Sequence, residues 1–315
     1  MRNPFPYSDD NKRYHTFNYY LRHRFHEKVF KVGLDAGFTC PNRDGKAGFG
    51  GCTFCNAIGS GDFGGSRLDP LDVQFDQGVA MMKRKWPQGK AIAYFQSFTN
   101  TYASLEEIQS KFQPIFQRED VLAMAIATRP DALEDDVLDY LDQLTNQKEV
   151  WLELGLQSIH DDTARNINRG HDFVKFKESI ERVRKTKLKI AVHLLNGLPG
   201  ETIEMMIESA RVVGSLRPDA VKIHMLNVLE NTKLAEQYKQ NPFPLLTMDE
   251  YTDLIVAQLE VLPPEIVIQR LTGDGDPKDL IEPKWTMKKT IVLNQIDQKM
   301  ARLNTMQGSK YQEYK

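Results

Sequence analysis

The sequence predicts an α/β fold: a partial (β/α)6 or larger TIM-like barrel of parallel strands with N- and C-terminal extensions. Three observations carry this expectation. Seven strand-sized apolar runs recur along the 315 residues, amphipathic helical patterns lie between most of them, and no internal repeat or low-complexity linker divides the chain. Strands that alternate with helices call for parallel pairing, because a parallel connection needs a crossover. Seven such strands suit an open or closed β/α barrel better than a short doubly wound sheet. A hydrophobic content of 41% is enough for one sizeable core.

Taken in order, residues 1–28 read as a basic, aromatic N-terminal extension. Between positions 11 and 31 stand Lys12, Arg13, Arg22, Arg24, Lys28 and Lys31 with His15, His23 and His26, interleaved with Tyr14, Phe17, Tyr19, Tyr20 and Phe25. The barrel occupies 29–274. Its strands are expected at 29–38, 91–98, 121–128, 150–157, 190–198, 220–229 and 266–271, and its helices at 73–86, 105–117, 131–144, 173–185, 202–216 and 248–261. Asp69 followed by Pro70 offers an N-cap with proline at the first helical position, Thr247 with Glu250 resembles a capping box, and Pro263-Pro264 stops the helix before the last strand. Residues 275–315 form a basic helical C-terminal extension that carries Lys284, Lys288, Lys289, Lys299, Arg302, Lys310 and Lys315.

Charge and hydropathy exclude some classes. The net charge of -2 gives no global argument for a polyanionic partner, although basic residues with aromatics at the two ends could follow a phosphate backbone and stack on unpaired bases. Solvated helical faces are the alternative reading. No apolar run approaches the roughly 20 residues of a membrane span, and the N-terminus lacks the apolar core of a secretory signal. No membrane association is expected, and the cytoplasm, where thiols stay reduced, is the expected compartment.

Ligand-binding residues of parallel β/α folds gather beyond the carboxyl ends of the strands. All three cysteines, Cys40, Cys52 and Cys55, fall in one glycine-rich loop beyond the first strand. Three thiols in one loop suit a soft metal centre better than a disulfide framework, which wants an even count. Two occupants remain open: an iron-sulfur cubane, whose fourth iron would be left for a small molecule, and zinc completed by an N-terminal histidine. Further along, strand ends supply Asn100, Arg129, Glu153, Gln157, His193, Gly197, Glu201, His224, Arg270 and Asp274, with Arg169 and His171 between strands. The pattern Gly59-Ser-Gly61-Asp-Phe-Gly64 matches a dinucleotide fingerprint in letters only, since no strand precedes it and the next helix is distant.

The cysteine loop after strand one, Phe54 directly before the last cysteine, Glu-x-Gly-x-Gln-Ser from Glu153, and Gly-Leu-Pro-Gly-Glu from Gly197 together resemble the radical S-adenosylmethionine (SAM) superfamily. Within it they resemble the YtqA/YhcC-type branch, related to the Elp3-like enzymes, with its long first cysteine spacing and its Arg-Leu-Thr-Gly-Asp segment from Arg270. The superfamily's usual spacing is Cys-x3-Cys-x2-Cys, whereas eleven residues separate Cys40 from Cys52 here.

The resemblance implies that Cys40, Cys52 and Cys55 hold a [4Fe-4S] cluster whose open iron binds SAM. Its reductive cleavage would form a 5'-deoxyadenosyl radical, the electron coming from a donor such as flavodoxin or ferredoxin. It places Phe54 by the adenine, Asn100 near the methionyl end, Glu153 and Gln157, on one face of strand four, at the ribose or methionine part, and Gly197 to Glu201 against the adenine. Glu153 could instead be an interior carboxylate neutralised by Arg165 or Arg169, and Gly197 to Glu201 a plain strand-to-helix turn. Arg129, Arg169, His171, His193, His224, Arg270 and Asp274 are substrate-side candidates. Without a fourth cysteine, sulfur insertion from an auxiliary cluster is disfavoured. The branch resembles tRNA wobble-uridine modifiers of the MnmL type, which implies tRNA as partner and remodelling of a uridine C5 side chain. A small-metabolite substrate and a non-catalytic zinc-stabilised RNA-binding protein are the alternatives.

Overall fold

The structure is a computed structural model that describes residues 5–59, 64–273 and 275–312. Asp274 and most of the 59–64 glycine pattern lie outside the described residues. In chain order the elements are α1 (Phe17–Phe25), β1 (Val29–Leu34), α2 (Leu71–Lys83), β2 (Lys90–Phe95), α3 (Leu105–Phe116), β3 (Val121–Thr128), α4 (Asp135–Leu144), β4 (Glu149–Gln157), α5 (Asp161–Asn166) and α6 (Phe173–Val183). There follow β5 (Lys189–Asn196), α7 (Ile203–Ser215), β6 (Ala220–Met225), β7 (Val228–Leu229), α8 (Lys233–Gln240), α9 (Met248–Val261), β8 (Val267–Arg270), β9 (Leu280–Glu282) and α10 (Lys289–Arg302).

All seven expected strands form, and they join one parallel sheet in the order β1-β2-β3-β4-β5-β6-β8. Sequential order with a helix in nearly every crossover is the topology of a partial TIM-like barrel, so the expected fold class is the observed one. Strand six is shorter than its apolar run. It ends at Met225; Val228–Leu229 leave it to pair antiparallel with β9, so the 220–229 run serves two sheets.

The chain divides into two compact units. The cysteine-bearing unit comprises Leu21–Gly155 and Gly170–Ala191. Its core is built on β2, β3 and β4, with Phe95 and Phe112 of α3 at a ring separation of 4.3 Å and Trp151 buried. Gly78 lets α2 lie close against β1, since a Cβ there would sit 2.4 Å from Val32 Cγ1. Two helix starts differ from expectation. Pro70 is itself the N-cap, with ψ 148°, and α2 begins at Leu71, so Asp69 does not cap it. The fourth helix begins at Asp135, because Ala132 N–H turns back to Arg129 O and the Asp131 carboxylate is engaged by Arg129.

The C-terminal unit comprises Met1–Tyr20, Leu156–Arg169 and Val192–Lys315. Here α9 packs on α7 and α10 with Tyr251, Leu254, Ile255 and Leu259 buried, and its N-terminus carries the expected capping box of Thr247 and Glu250. Both terminal segments are tied to the last strand. Ile268 N–H donates to His15 O at 2.7 Å and bridges Thr16, and Gln307 accepts from His15 N–H while donating to Pro263 O and Ile266 O. Helices α5 and α8 escaped the periodicity reading because they are 6 and 8 residues long, too short for an apolar stripe to register.

Candidate functional site: the cysteine loop and the strand ends

Beyond β1 the chain enters the cysteine loop through Asp35, whose carboxylate takes Arg67 at 3.1 and 3.2 Å. The residues between Cys40 and Cys52 fold back on themselves. Arg43 N–H donates to Cys40 O at 2.9 Å, Gly45 N–H to Gly48 O at 3.0 Å, Ala47 N–H to Pro41 O at 2.8 Å and Gly51 N–H to Asn42 O at 2.8 Å. Asp44 and Phe49 form an antiparallel bridge across this small hairpin. It returns the chain to Cys52, and Cys55 N–H then closes a turn onto Cys52 O at 3.0 Å.

All three cysteines are free thiols, each half-buried. Burial, and next the neighbouring Cys55, push the Cys52 thiol up to about 12, against Arg129 and an Asn42 hydrogen bond, which lower it. Coordination to a metal centre deprotonates a thiol outright. Asn42 Nδ2 donates to Cys52 Sγ at 3.7 Å and Arg43 Nη2 to Cys55 Sγ at 3.4 Å, a setting made for sulfur that carries negative charge. A cubane takes each thiolate on a separate iron corner, and three thiols in one loop, two of them with a side-chain donor to sulfur, fit such a cluster.

The rest of this unit presents polar atoms around the loop's end of the sheet. Asn100 is fully buried and its Nδ2 donates to Phe95 O, Ser97 O and Ala127 O at 2.9 to 3.1 Å, which ties the end of β2 to β3. Its Oδ1, with Ser97 Oγ and Thr53 Oγ1, is buried with no hydrogen-bond partner among the described residues. Orphaned acceptors of this kind are what a polar ligand would satisfy. Phe54 is half-buried beside Cys55. Arg129 is buried, chelates Asp131 at 2.7 and 2.9 Å, and is close enough to Cys52 and Cys40 to feel their charge. His171 is half-buried, and its Nδ1 hydrogen-bonds to Asp172 O.

Glu153 is completely buried and pairs with Lys31, whose ammonium also stands 4.6 Å from the centre of the Tyr94 ring. Arg165 pairs with Asp162, and Arg169 Nη1 donates to Leu156 O and Ser158 O. Lys31 was missed as a partner because strand pairing, not sequence proximity, brings it there.

In the C-terminal unit, the two bonds from buried Arg169 bracket Gln157, whose φ is +63°. A left-handed residue ends the period-two alternation of β4 there, so a face shared with Glu153 does not follow from strand geometry. Ser158 Oγ donates to Glu201 Oε1, and burial raises the Glu201 carboxyl above its ordinary range against Ser158 and Thr163 hydrogen bonds, which lower it. Gly197 and Gly200, at φ +90° and +87°, turn the chain from β5 into α7, whose N-cap is Thr202. His193 and His224, neighbours on β5 and β6, have ring centres 5.3 Å apart. Arg270 closes β8, where its charge acts on Lys289.

Residues 40–213 match the Radical SAM superfamily and residues 218–302 the Radical_SAM C-terminal domain. The uncharacterized protein YtqA of Bacillus subtilis is 47% identical, over 99% of this chain and 97% of its own. Protein YhcC of Escherichia coli is 32% identical over 88% of this chain and 89% of its own. A tRNA uridine(34) acetyltransferase of Methanocaldococcus infernus is 29% identical over 54% of this chain, which spans only 32% of that protein. The fold is that of the solved archaeal Elp3 of the same organism, with a TM-score of 0.67 at 19% identity, over 89% of this chain and 64% of that one. The chain thus belongs to the radical SAM superfamily, in the branch of YtqA and YhcC, and the enzymes of this superfamily work with a [4Fe-4S] cluster and SAM.

Proposed function

We propose that this radical SAM enzyme acts on tRNA and remodels the C5 substituent of a wobble uridine. The observation that carries the reading is the similarity, across about half of the chain, to a protein named for tRNA uridine at position 34. The exposed Arg22 and His23 of α1 supply a basic edge for a phosphate backbone, while their neighbour Arg24 pairs with Glu149 at 2.9 Å. Part of the basic set that the sequence offers for this purpose is spent inside the fold, as Lys12 pairs with Asp297, Lys31 with Glu153 and Lys310 with Glu260.

When bound, the cluster and SAM supply one-electron cleavage of a sulfonium and hydrogen abstraction from substrate. Cys40, Cys52 and Cys55 are the residues that would hold the cluster, and Asn42 and Arg43 steady two of their sulfurs. Asn100 offers its Oδ1 to the cofactor, with Phe54 proposed at the adenine and Glu153, Gln157, Gly197 and Glu201 as further contacts. Glu153 is completely buried and its charge is paired with Lys31. Arg129, Arg169, His171, His193, His224, Arg270 and Asp274 are proposed on the substrate side. An external low-potential carrier such as flavodoxin or ferredoxin provides the electron. No helix among the described residues is long and apolar enough to cross a membrane, in keeping with a cytoplasmic site of action.

The test is deletion of the gene followed by mass spectrometry of tRNA nucleosides. An accumulated wobble-uridine precursor, converted by the purified, reduced enzyme with SAM, is the expected result. An unchanged nucleoside profile rejects tRNA as substrate and leaves reductive SAM cleavage standing.

A further inference from the structure

The eleven residues between Cys40 and Cys52 depart from the usual spacing, and their hairpin carries two consecutive side chains, Asn42 and Arg43, that donate to the sulfurs of Cys52 and Cys55 at 3.7 and 3.4 Å. Both are held by their surroundings. Asn42 is fully buried, and Gly48 and Gly170 crowd its amide so closely that a Cβ on either would sit 2.3 or 2.5 Å from Oδ1. Gly51 leaves the room for Arg43, since a Cβ there would meet Nε at 3.0 Å and Cγ at 3.2 Å.

The Arg43 guanidinium has two further anchors. Its Nη2 donates to Asn56 O at 2.5 Å, and its Cζ lies 5.1 Å from the centre of the Phe98 ring. Phe98 is itself a fixed platform. It sits at φ +61° with its ring against Gly59, where a Cβ would clash at 2.6 Å, and it also meets Arg67, which Asp35 and Phe38 O hold. A flexible surface arginine would not be built in this way.

A positive charge and an N–H donor beside a ligand sulfur favour the electron-rich, reduced state of an iron-sulfur centre, because they stabilise the added negative charge. We infer that Arg43, clamped by Phe98 and Asn56, sets the reduction potential of the cluster held by Cys40, Cys52 and Cys55. Arg43 is a positioning residue that acts through Cys55. The step concerned is a one-electron reduction by an external low-potential donor, in which no bond or proton changes hands. The inference rests on membership of the superfamily and not on the tRNA reading, so failure of one leaves the other intact.

The experiment is a dithionite redox titration of the full chain loaded anaerobically with iron and sulfide, followed by electron paramagnetic resonance of the reduced cluster. Only loaded protein contributes to the midpoint, so poorer assembly alone does not move it. Arg43→Gln is expected to lower the reduced-to-oxidised ratio at a fixed potential about tenfold, which is about 59 mV for a one-electron couple. Arg43→Lys keeps the charge and restores most of the ratio, while Phe98→Leu loosens the clamp and moves it the same way as Arg43→Gln by less. A wild-type midpoint in Arg43→Gln, or an equal shift in the lysine variant, overturns the inference. If the glutamine variant takes up no cluster, a wild-type midpoint in Phe98→Leu overturns it.

Discussion

Asn196 and Gln258 exchange two hydrogen bonds: Asn196 Nδ2 donates to Gln258 Oε1 at 2.7 Å, and Gln258 Nε2 donates back to Asn196 Oδ1 at 2.9 Å. Both are buried, and Gln258 Nε2 also donates to Met206 O at 2.9 Å. The pair joins the end of β5 to α7 and α9 one residue before Gly197, so it supports the turn that leads to Glu201. Asn196→Ala leaves a buried amide oxygen without its donor and is expected to cost about 1–3 kcal/mol. Urea unfolding of Asn196→Leu, Gln258→Leu and the double Asn196→Leu/Gln258→Leu should give a double variant less destabilised than the sum of the singles.

The Lys31–Glu153 pair makes a second stability prediction. Lys31→Met takes the lysine away from a completely buried carboxylate and should cost about 3–5 kcal/mol, while Lys31→Met/Glu153→Leu recovers much of the loss. Denaturant midpoints of the three proteins decide it. A single variant as stable as the wild type shows that the pair does not hold Glu153.

The raised carboxyl of Glu201 fixes the sign of a pH effect. Its ordinary value is 4.5, and burial lifts it in the fold, so the native state holds this proton more tightly than the unfolded chain. Its contribution is fully present below the unfolded value and is lost as pH rises through the folded one. Glu201→Gln removes that loss and can still accept from Ser158. Relative to wild type, the variant should therefore gain stability from acid to neutral pH in unfolding curves recorded at several pH values. A difference that does not change with pH contradicts the shift.

Removal of any one cysteine tests the centre itself. Cys40→Ala, Cys52→Ala and Cys55→Ala should each lose most of the visible absorbance of the reconstituted cluster and all reductive formation of 5'-deoxyadenosine. Tight stoichiometric zinc in the wild type, with no such product, would reverse the assignment.

Much of the architecture was readable before folding because its signals are local. The strand and helix alternation, the Thr247 capping box and the position of all three cysteines beyond β1 follow from short-range pattern and chain order. Other features were misread where a local signal competes with a partner remote in sequence. The run after Ala220 looks like one strand, yet β9 draws Val228 and Leu229 away from it. Gln157 looks like one more alternating strand residue, yet Arg169 holds the backbone on either side of it and its φ turns positive.

The sequence by itself determined the order of the elements, the superfamily and the placing of three thiols in one loop beyond β1, because motif spacing and periodicity need no partner. Only the tertiary structure decided the surroundings of the site: Lys31 as the partner of Glu153, Ser158 as the donor to Glu201, and Asn42 and Arg43 as the donors to Cys52 and Cys55. Each of these needs a side chain to be brought by sheet pairing or loop closure to within hydrogen-bond reach, and residue order alone does not encode that distance.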